Sequence, residues 1–98
     1  MSKAVTSILV RIGGPQGLVK RFNGRFAWTL DKLVTAGPHG VTPLDQPAPR
    51  WSHYVFVLRR EGVPIDTIKE IHGGPFSGRH ARYVLSGPVE ILDMQEAA

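Results

Sequence analysis

One stretch of the sequence, residues 49–85, constrains the fold more than any other. Its first part carries large apolar residues at the i, i+3, i+4, i+7 spacing of one helix face, namely Trp51, Tyr54, Val55 and Leu58. Pro49 suits the start of such a helix and Gly62 suits its C-terminal cap. The pattern therefore predicts a helix over residues 50–61 with these four side chains buried.

Two runs rich in strand-forming residues follow this helix. Residues 63–72 and 79–85 are separated by Gly73, Gly74, Pro75, Phe76, Ser77 and Gly78, which is a dense turn signal. We expect residues 65–71 and 80–85 to pair as antiparallel strands across that turn.

The N-terminal part of the sequence predicts a hairpin followed by a helix. Residues 5–12 and 18–22 are β-rich and flank a turn with three glycines and a proline. Asn23 is placed to cap a helix over residues 24–36, which Gly37 and Pro38 end. Trp28 points away from the expected apolar face of that helix. Either another element covers Trp28, with the N-terminal hairpin as the obvious candidate, or the face is slightly rotated.

The remaining segments predict less regular structure. Thr42 can cap a short second helix, with Pro43 at its first position and Asp45 near the positive end of its dipole. Pro47 and Pro49 limit this helix to little more than a turn. Beyond Gly87 and Pro88 we expect a short strand over residues 89–92 and a frayed tail over residues 93–98.

Three helices followed by a hairpin is the order of a winged helix-turn-helix domain, whose third helix enters the DNA major groove. We therefore expect an α+β fold of one domain over residues 1–98. The parts are an additional N-terminal β-hairpin (5–22), a three-helix core (24–62) and a C-terminal β-hairpin wing (63–85).

Three short motifs lie where the third helix meets the wing. They are Leu-Arg-Arg-Glu-Gly at residues 58–62, Ile-Asp-Thr at 65–67 and Arg-Tyr-Val-Leu at 82–85. Together they resemble the Leu-Arg-x-x-Gly, Ile-x-Thr and Arg-Tyr-x-Leu elements of a small bacterial winged helix-turn-helix family. The resemblance covers residues 24–85 and implies the fold and DNA binding, without an assigned biological role. The short second helix and the N-terminal hairpin depart from that family's minimal domain.

Charge is distributed unevenly along the chain. All 12 Lys and Arg residues lie in residues 1–82 with five acidic residues, a net charge of +7, whereas residues 83–98 carry −3. A basic body favours a polyanionic partner such as nucleic acid, although charge of this size also serves solubility. There is no cysteine, no long apolar run and no secretion-signal pattern, so we expect a cytoplasmic protein without a membrane span.

The predicted DNA-binding residues lie on the third helix and the wing. The helix residues are Arg50, Ser52, His53, Val57, Arg59 and Arg60, and the wing residues are Lys69, Arg79 and Arg82. Arg60 and His53 are placed to read base edges, and Arg50 and Arg79 to contact phosphates. The alternative is that these are ordinary solvated charges. We expect another element to cover Phe56, since a mid-helix Phe more often packs than reads bases.

Catalysis has little support in the sequence. His72 and His80 can face each other across the wing, but without cysteine or a metalloprotease spacing we expect plain hairpin histidines, no metal and no cofactor. Two hypotheses remain. One is sequence-specific or architectural binding of double-stranded DNA in transcription regulation. The other is a protein-interaction or dimerisation module that uses the N-terminal hairpin, and the sequence leaves a homodimer open.

Overall fold

The computed structural model describes residues 4–45, 50–74 and 78–97, which form two α-helices and two antiparallel sheets. In chain order the elements are β1 (Val5–Ile12), β2 (Leu18–Asn23), α1 (Gly24–Ala36), α2 (Trp51–Arg60), β3 (Ile65–His72), β4 (Gly78–Leu85) and β5 (Val89–Glu96). One sheet has the strand order β2-β1-β5, and the other is the β3-β4 hairpin. A short 3-10 helix, Gly37–His39, follows α1.

The three-stranded sheet is built around β1. Ile8 and Val10 of β1 are fully buried, with Ile8 opposite Phe22 of β2 and Val10 opposite Ile91 of β5. Side chains alternate between the two faces of a strand, so these residues share one face of the sheet. The helix α1 packs against β1, and its Leu30 and Leu33 join the same buried cluster.

The strand β5 corrects the expectation of a frayed tail. It continues to Glu96, and Asp93, Met94 and Gln95 lie opposite Leu9, Ile8 and Ser7 of β1. The amide of Ala97 also donates a hydrogen bond of 2.9 Å to the carbonyl of Ala4. The strand lies at the sheet edge and residues 92–96 are exposed, so backbone pairing rather than an apolar pattern defines its end.

The structure confirms three predictions: the helix α1, the buried stripe of four side chains on α2, and the wing formed by β3 and β4. The helix α2 is one residue shorter at each end than predicted, and Trp51, Tyr54, Val55 and Leu58 are its buried residues. The strands β3 and β4 pair from Ile65 opposite Leu85 to His72 opposite Gly78. Residues 75–77 of the predicted turn lie outside the described residues.

The prediction of three helices is wrong for the described part of the chain, which contains two α-helices. The hydroxyl of Thr42 does accept a hydrogen bond from the Asp45 amide at 3.1 Å, as a cap would. Residues 43–45 nevertheless form only a turn, and residues 46–49 lie outside the described residues. Prolines at positions 47 and 49 lack the amide hydrogens that a continuing helix requires.

A one-residue bridge attaches the inter-helix connection to the wing. The amide and carbonyl of Val41 exchange two hydrogen bonds of 2.8 Å with Tyr83 of β4. The preceding Gly40 has a φ of +72°, and a Cβ there would lie 2.6 Å from Cγ2 of Val84 and 2.7 Å from the carbonyl oxygen of Tyr83. Glycine at position 40 therefore permits the close approach that fixes the wing against the helices.

Candidate nucleic-acid interface

The outward face of α2 is open to solvent. Ser52, His53, Phe56, Arg59 and Arg60 are exposed, and Val57 is half-buried. The helix is therefore anchored by its buried stripe and presents a polar and basic side to the outside. Four of the six helix residues predicted as DNA ligands lie on this face as exposed side chains.

Phe56 and Arg60 form one surface feature on that face. Phe56 is 61% exposed, so the expectation that another element covers it is wrong for the described part of the chain. The guanidinium carbon of Arg60 lies 5.7 Å from the centre of the Phe56 ring, within cation–π range. The i, i+4 spacing places the two side chains together because they lie one helical turn apart.

Arg50 lies immediately before α2. Its carbonyl accepts a 3.0 Å hydrogen bond from the Tyr54 amide, which fixes its backbone at the helix start. The residue is exposed, and its guanidinium has no side-chain partner among the described residues. This leaves the Arg50 charge at the end of α2 where backbone N–H groups already favour an anion.

Arg59 joins α2 to the wing. Its Nε donates a 2.9 Å hydrogen bond to the carbonyl of Ile65, and a terminal nitrogen donates to the hydroxyl of Thr67. The side chain still has an exposed edge, but its geometry is set by β3. The predicted DNA ligand Arg59 therefore also fixes the angle between α2 and the wing.

One face of the wing continues from that junction. Thr67, Lys69 and Ile71 alternate on this face of β3, opposite Tyr83, Ala81 and Arg79 of β4. Lys69 and Arg79 are exposed, and they flank a small pocket of about 150 Å³ together with Ile71. Neither cation has a hydrogen-bond or ion-pair partner in residues 4–45, 50–74 and 78–97. Their charges are therefore available to an outside anion.

Arg82 lies on the other face of the wing and its charge is already paired. Its Nε donates to Oε2 of Glu70 at 2.7 Å, and its Nη1 donates to the carbonyl of His39 at 2.9 Å. The hydrogen bond from Arg82, aided by His80, lowers the pKa of the Glu70 carboxyl although partial burial opposes the shift. The predicted DNA ligand Arg82 therefore differs from Lys69 and Arg79 in two ways: it lies on the other face of the wing, and its charge is paired within the protein.

The N-terminal hairpin contacts the residue that directly follows α2. Nζ of Lys20 donates to the carbonyl of Glu61 at 2.7 Å and pairs with its Oε2 at 3.2 Å. Val57 and Phe26 line a surface pocket of about 510 Å³ beside β2. Val57 and the hairpin thus border the same surface pocket, while Ser52, His53 and Arg60 on the outward face stay exposed.

Two basic residues near the start of α2 escaped the sequence analysis. The ring centre of Trp28 lies 5.5 Å from that of Trp51 in α2, so α2 covers part of the apolar surface of Trp28. Arg25 and Lys32 lie 4.9 Å and 5.8 Å from the centre of the Trp28 ring. Their i, i+3, i+7 spacing was the signal that could have revealed this basic face of α1.

Neither a metal cluster of three or more side chains nor a membrane helix occurs in the described residues. None of their helices has both the length and the apolar character that a membrane crossing needs. In the same residues no group of three or more His, Cys, Asp and Glu side chains could hold a metal ion.

The exposed α2, the antiparallel wing that follows it and the Val41 bridge define the class of winged helix domains. A family model described as a winged helix domain matches residues 19–95, and the chain belongs to that family. The resemblance seen in the sequence is therefore confirmed, and winged helix domains generally bind DNA. Comparisons with curated proteins and with solved structures gave no significant match.

Proposed function

We propose that this chain binds double-stranded DNA through α2 and the adjoining face of the wing. The observation that carries the proposal is the open outward face of α2, on which Arg60 is exposed. The wing that follows α2 adds two exposed cations, Lys69 and Arg79, that have no partner among the described residues. The general DNA-binding habit of winged helix domains supports it.

The side chains divide into base-reading and phosphate-binding groups. The ten residues of α2 form a helix about 15 Å long, which suits insertion into the major groove. Arg60 can donate two hydrogen bonds to O6 and N7 of a guanine, and Ser52 and His53 can reach neighbouring base edges. Arg50, Lys69 and Arg79 are the proposed phosphate ligands because each is exposed and its charge has no side-chain partner among the described residues.

We place this activity in transcription regulation in a bacterial cytoplasm, and we propose binding without catalysis. The sequence has no cysteine, so nothing in it argues for an oxidising compartment. No nucleophile-elbow or phosphate-loop motif in the sequence supports an enzyme.

A protein-interaction or dimerisation role is the second candidate, and exposed apolar residues favour it. Phe56 on α2 is 61% exposed and Ile71 on the wing is 78% exposed. Apolar side chains on a basic face serve a protein partner as well as a thymine methyl. A second copy of this chain is the simplest such partner.

Fluorescence anisotropy with a labelled random-sequence duplex at low salt tests the DNA proposal. Arg50→Ala should weaken binding, whereas Arg11→Ala should not, although both remove one positive charge. Arg11 is the matched control because it pairs with Glu90 at 2.9 Å on the sheet face opposite the buried Ile8 and Val10. Equal loss in the two variants would mean that net charge, not α2, governs binding.

The second candidate needs a different readout. Phe56→Ser should leave the apparent mass in sedimentation unchanged if Phe56 only faces DNA. A shift from dimer to monomer in this variant, with duplex affinity retained, would instead support the protein-interaction role.

A further inference from the structure

The two histidines of the wing lie in direct contact on the face opposite Lys69 and Arg79. Their Nδ1 atoms are 2.9 Å apart, and their ring centres are 5.1 Å apart. His72 faces Gly78 across the ladder, while His80 faces Glu70. Because Gly78 has no side chain, the His72 ring can lie over that position and reach diagonally to His80. The contact between the two rings therefore depends on two neighbouring cross-strand pairs, His72 with Gly78 and Glu70 with His80.

Glu70 fixes which nitrogen of His80 carries the proton. Oε1 of Glu70 lies 3.0 Å from Nε2 of His80, and Oε2 accepts from Arg82 at 2.7 Å. An ionised carboxylate can only accept, so Nε2 of neutral His80 is the protonated nitrogen and Nδ1 carries the lone pair. Arg82 is itself held by the carbonyl of His39 at 2.9 Å, which orients the carboxylate.

This is the arrangement that supports imidazole ligands in metal sites. A metal-bound histidine usually donates its other ring N–H to a carboxylate, which fixes the tautomer and makes the ligating nitrogen more basic. Glu70 supplies that carboxylate for His80 at hydrogen-bond distance. The sequence pattern showed the histidine pair but could not show the Glu70 and Arg82 support behind it.

We propose that the wing binds a divalent late first-row transition-metal ion through the Nδ1 atoms of His72 and His80, with Cu²⁺ bound most tightly. With metal–nitrogen distances of about 2.0–2.1 Å, nitrogens 2.9 Å apart subtend an angle of about 90° at the metal. That is the angle between neighbouring ligands in the square-planar or tetragonal sites that Cu²⁺ and Ni²⁺ prefer. Water completes the coordination, since the protein supplies two donors.

The proton balance of binding is simple. In the neutral pair, His72 donates its Nδ1–H to the lone pair of His80 Nδ1. The metal ion takes the place of that proton, and His72 becomes the tautomer protonated at Nε2 by exchange with water. Binding to the neutral pair releases no net proton.

Titration of the purified chain with CuCl₂, followed by electron paramagnetic resonance, tests the proposal. The bound Cu²⁺ spectrum should show coupling to two imidazole nitrogens. His72→Ala and His80→Ala should each remove this two-nitrogen signal. His53→Ala is the matched control because it removes an exposed histidine from α2, away from the wing, and should leave the spectrum unchanged.

The variant Glu70→Gln tests the role of the carboxylate behind His80 separately from the metal ligands themselves. It keeps both imidazoles and should weaken Cu²⁺ binding by about 10–100-fold, the usual effect of losing a carboxylate behind a histidine ligand. Isothermal titration should also give the affinity order Cu²⁺ over Ni²⁺ and over Zn²⁺. Circular dichroism establishes that each variant is folded.

The Cu²⁺ spectrum of the wild-type chain tests the metal-site proposal even where a variant fails to fold. Fewer than two coupled imidazole nitrogens, or no Cu²⁺ binding, would overturn the proposal. The same conclusion follows if folded His72→Ala binds Cu²⁺ as the wild type does. None of these measurements uses DNA, so the metal site and the DNA-binding function stand or fall separately.

Discussion

The guanidinium of Arg59 donates a hydrogen bond to the hydroxyl of Thr67, which joins the last turn of α2 to β3. A second hydrogen bond runs from Nε of Arg59 to the carbonyl of Ile65, so Arg59 holds β3 at two positions. The neighbouring Arg60 turns outward over Phe56 instead. Adjacent arginines of the same motif thus have different structural roles, one in orienting the wing and one at the open face of α2.

Arg59→Ala should destabilise the domain and loosen the wing. It removes two hydrogen bonds from a charged donor, and because the side chain is partly exposed we expect a loss of about 1 kcal/mol in the free energy of unfolding. Urea denaturation measures the loss. Amide hydrogen exchange of β3 and β4 should accelerate locally, since the wing loses an attachment to α2.

Arg60→Ala is the matched control for that experiment. Arg60 makes no hydrogen bond within the described residues, so its removal should change the unfolding free energy by less than about 0.5 kcal/mol. Its effect should appear in DNA binding, as a loss of about 1–3 kcal/mol on a specific site. Equal destabilisation by the two variants would refute the division of roles.

Arg79→Ala should weaken binding to all duplex sequences about equally. Arg79 is an exposed and unpaired cation beside the wing turn, which suits a phosphate contact rather than base reading. Loss of one phosphate contact should make the slope of log affinity against log salt shallower by about one unit. Arg79→Lys keeps the charge and should retain the wild-type slope. An unaltered slope in the alanine variant would remove Arg79 from the interface.

Glu70→Gln should change the pH dependence of stability at the acid end. The Arg82 hydrogen bond lowers the folded-state pKa of Glu70 below its ordinary value of 4.5. The stabilisation from this carboxylate is therefore complete above the ordinary pKa and is lost as the pH falls through the lowered folded-state pKa. Chemical denaturation should show wild type and variant differing at neutral pH and converging in acid. A difference that persists below the folded-state pKa would show that charge is not its cause.

Gly40→Ala should destabilise the domain more than Gly14→Ala. Both glycines have positive φ, +72° and +90°, so both substitutions strain the backbone. Only at position 40 would the new Cβ also meet Val84 and the Tyr83 carbonyl, whereas nothing lies within 4 Å at position 14. The difference in thermal midpoint between the variants isolates the steric contribution. Similar midpoints would show that the Val41–Tyr83 bridge can shift without loss.

The sequence was informative where side-chain pattern and turn chemistry agreed. The stripe ending at Leu58 predicted α2, and the glycine-rich turn between two β-rich runs predicted the wing. It failed where tertiary pairing decides the structure. The edge strand β5 is held by backbone bonds to β1, and the cap at Thr42 is formed without a helix after it.

The sequence predicts which side chains of the candidate site are exposed, but not which of them are already hydrogen-bonded within the protein. Exposure of Ser52, His53 and Arg60 follows from the position of the buried stripe on α2. The pairing of Arg82 with Glu70 depends on the register of β3 against β4 and on a contact with His39, 43 residues away. Local spacing does not reveal such partners, so the sequence alone predicts Arg82 to be as available to DNA as Lys69 and Arg79.

The salt dependence of wild-type binding to a random-sequence duplex tests the central claim most directly. Three or four phosphate contacts predict a slope of about −3 to −4 for log affinity against log salt, and about twice that for a dimer on two half-sites. Anisotropy across several salt concentrations gives this slope without knowledge of a target sequence. Binding that strengthens at low salt with such a slope is the predicted result. No binding at low salt, where attraction to phosphates is strongest, would contradict DNA binding and favour the protein-interaction role.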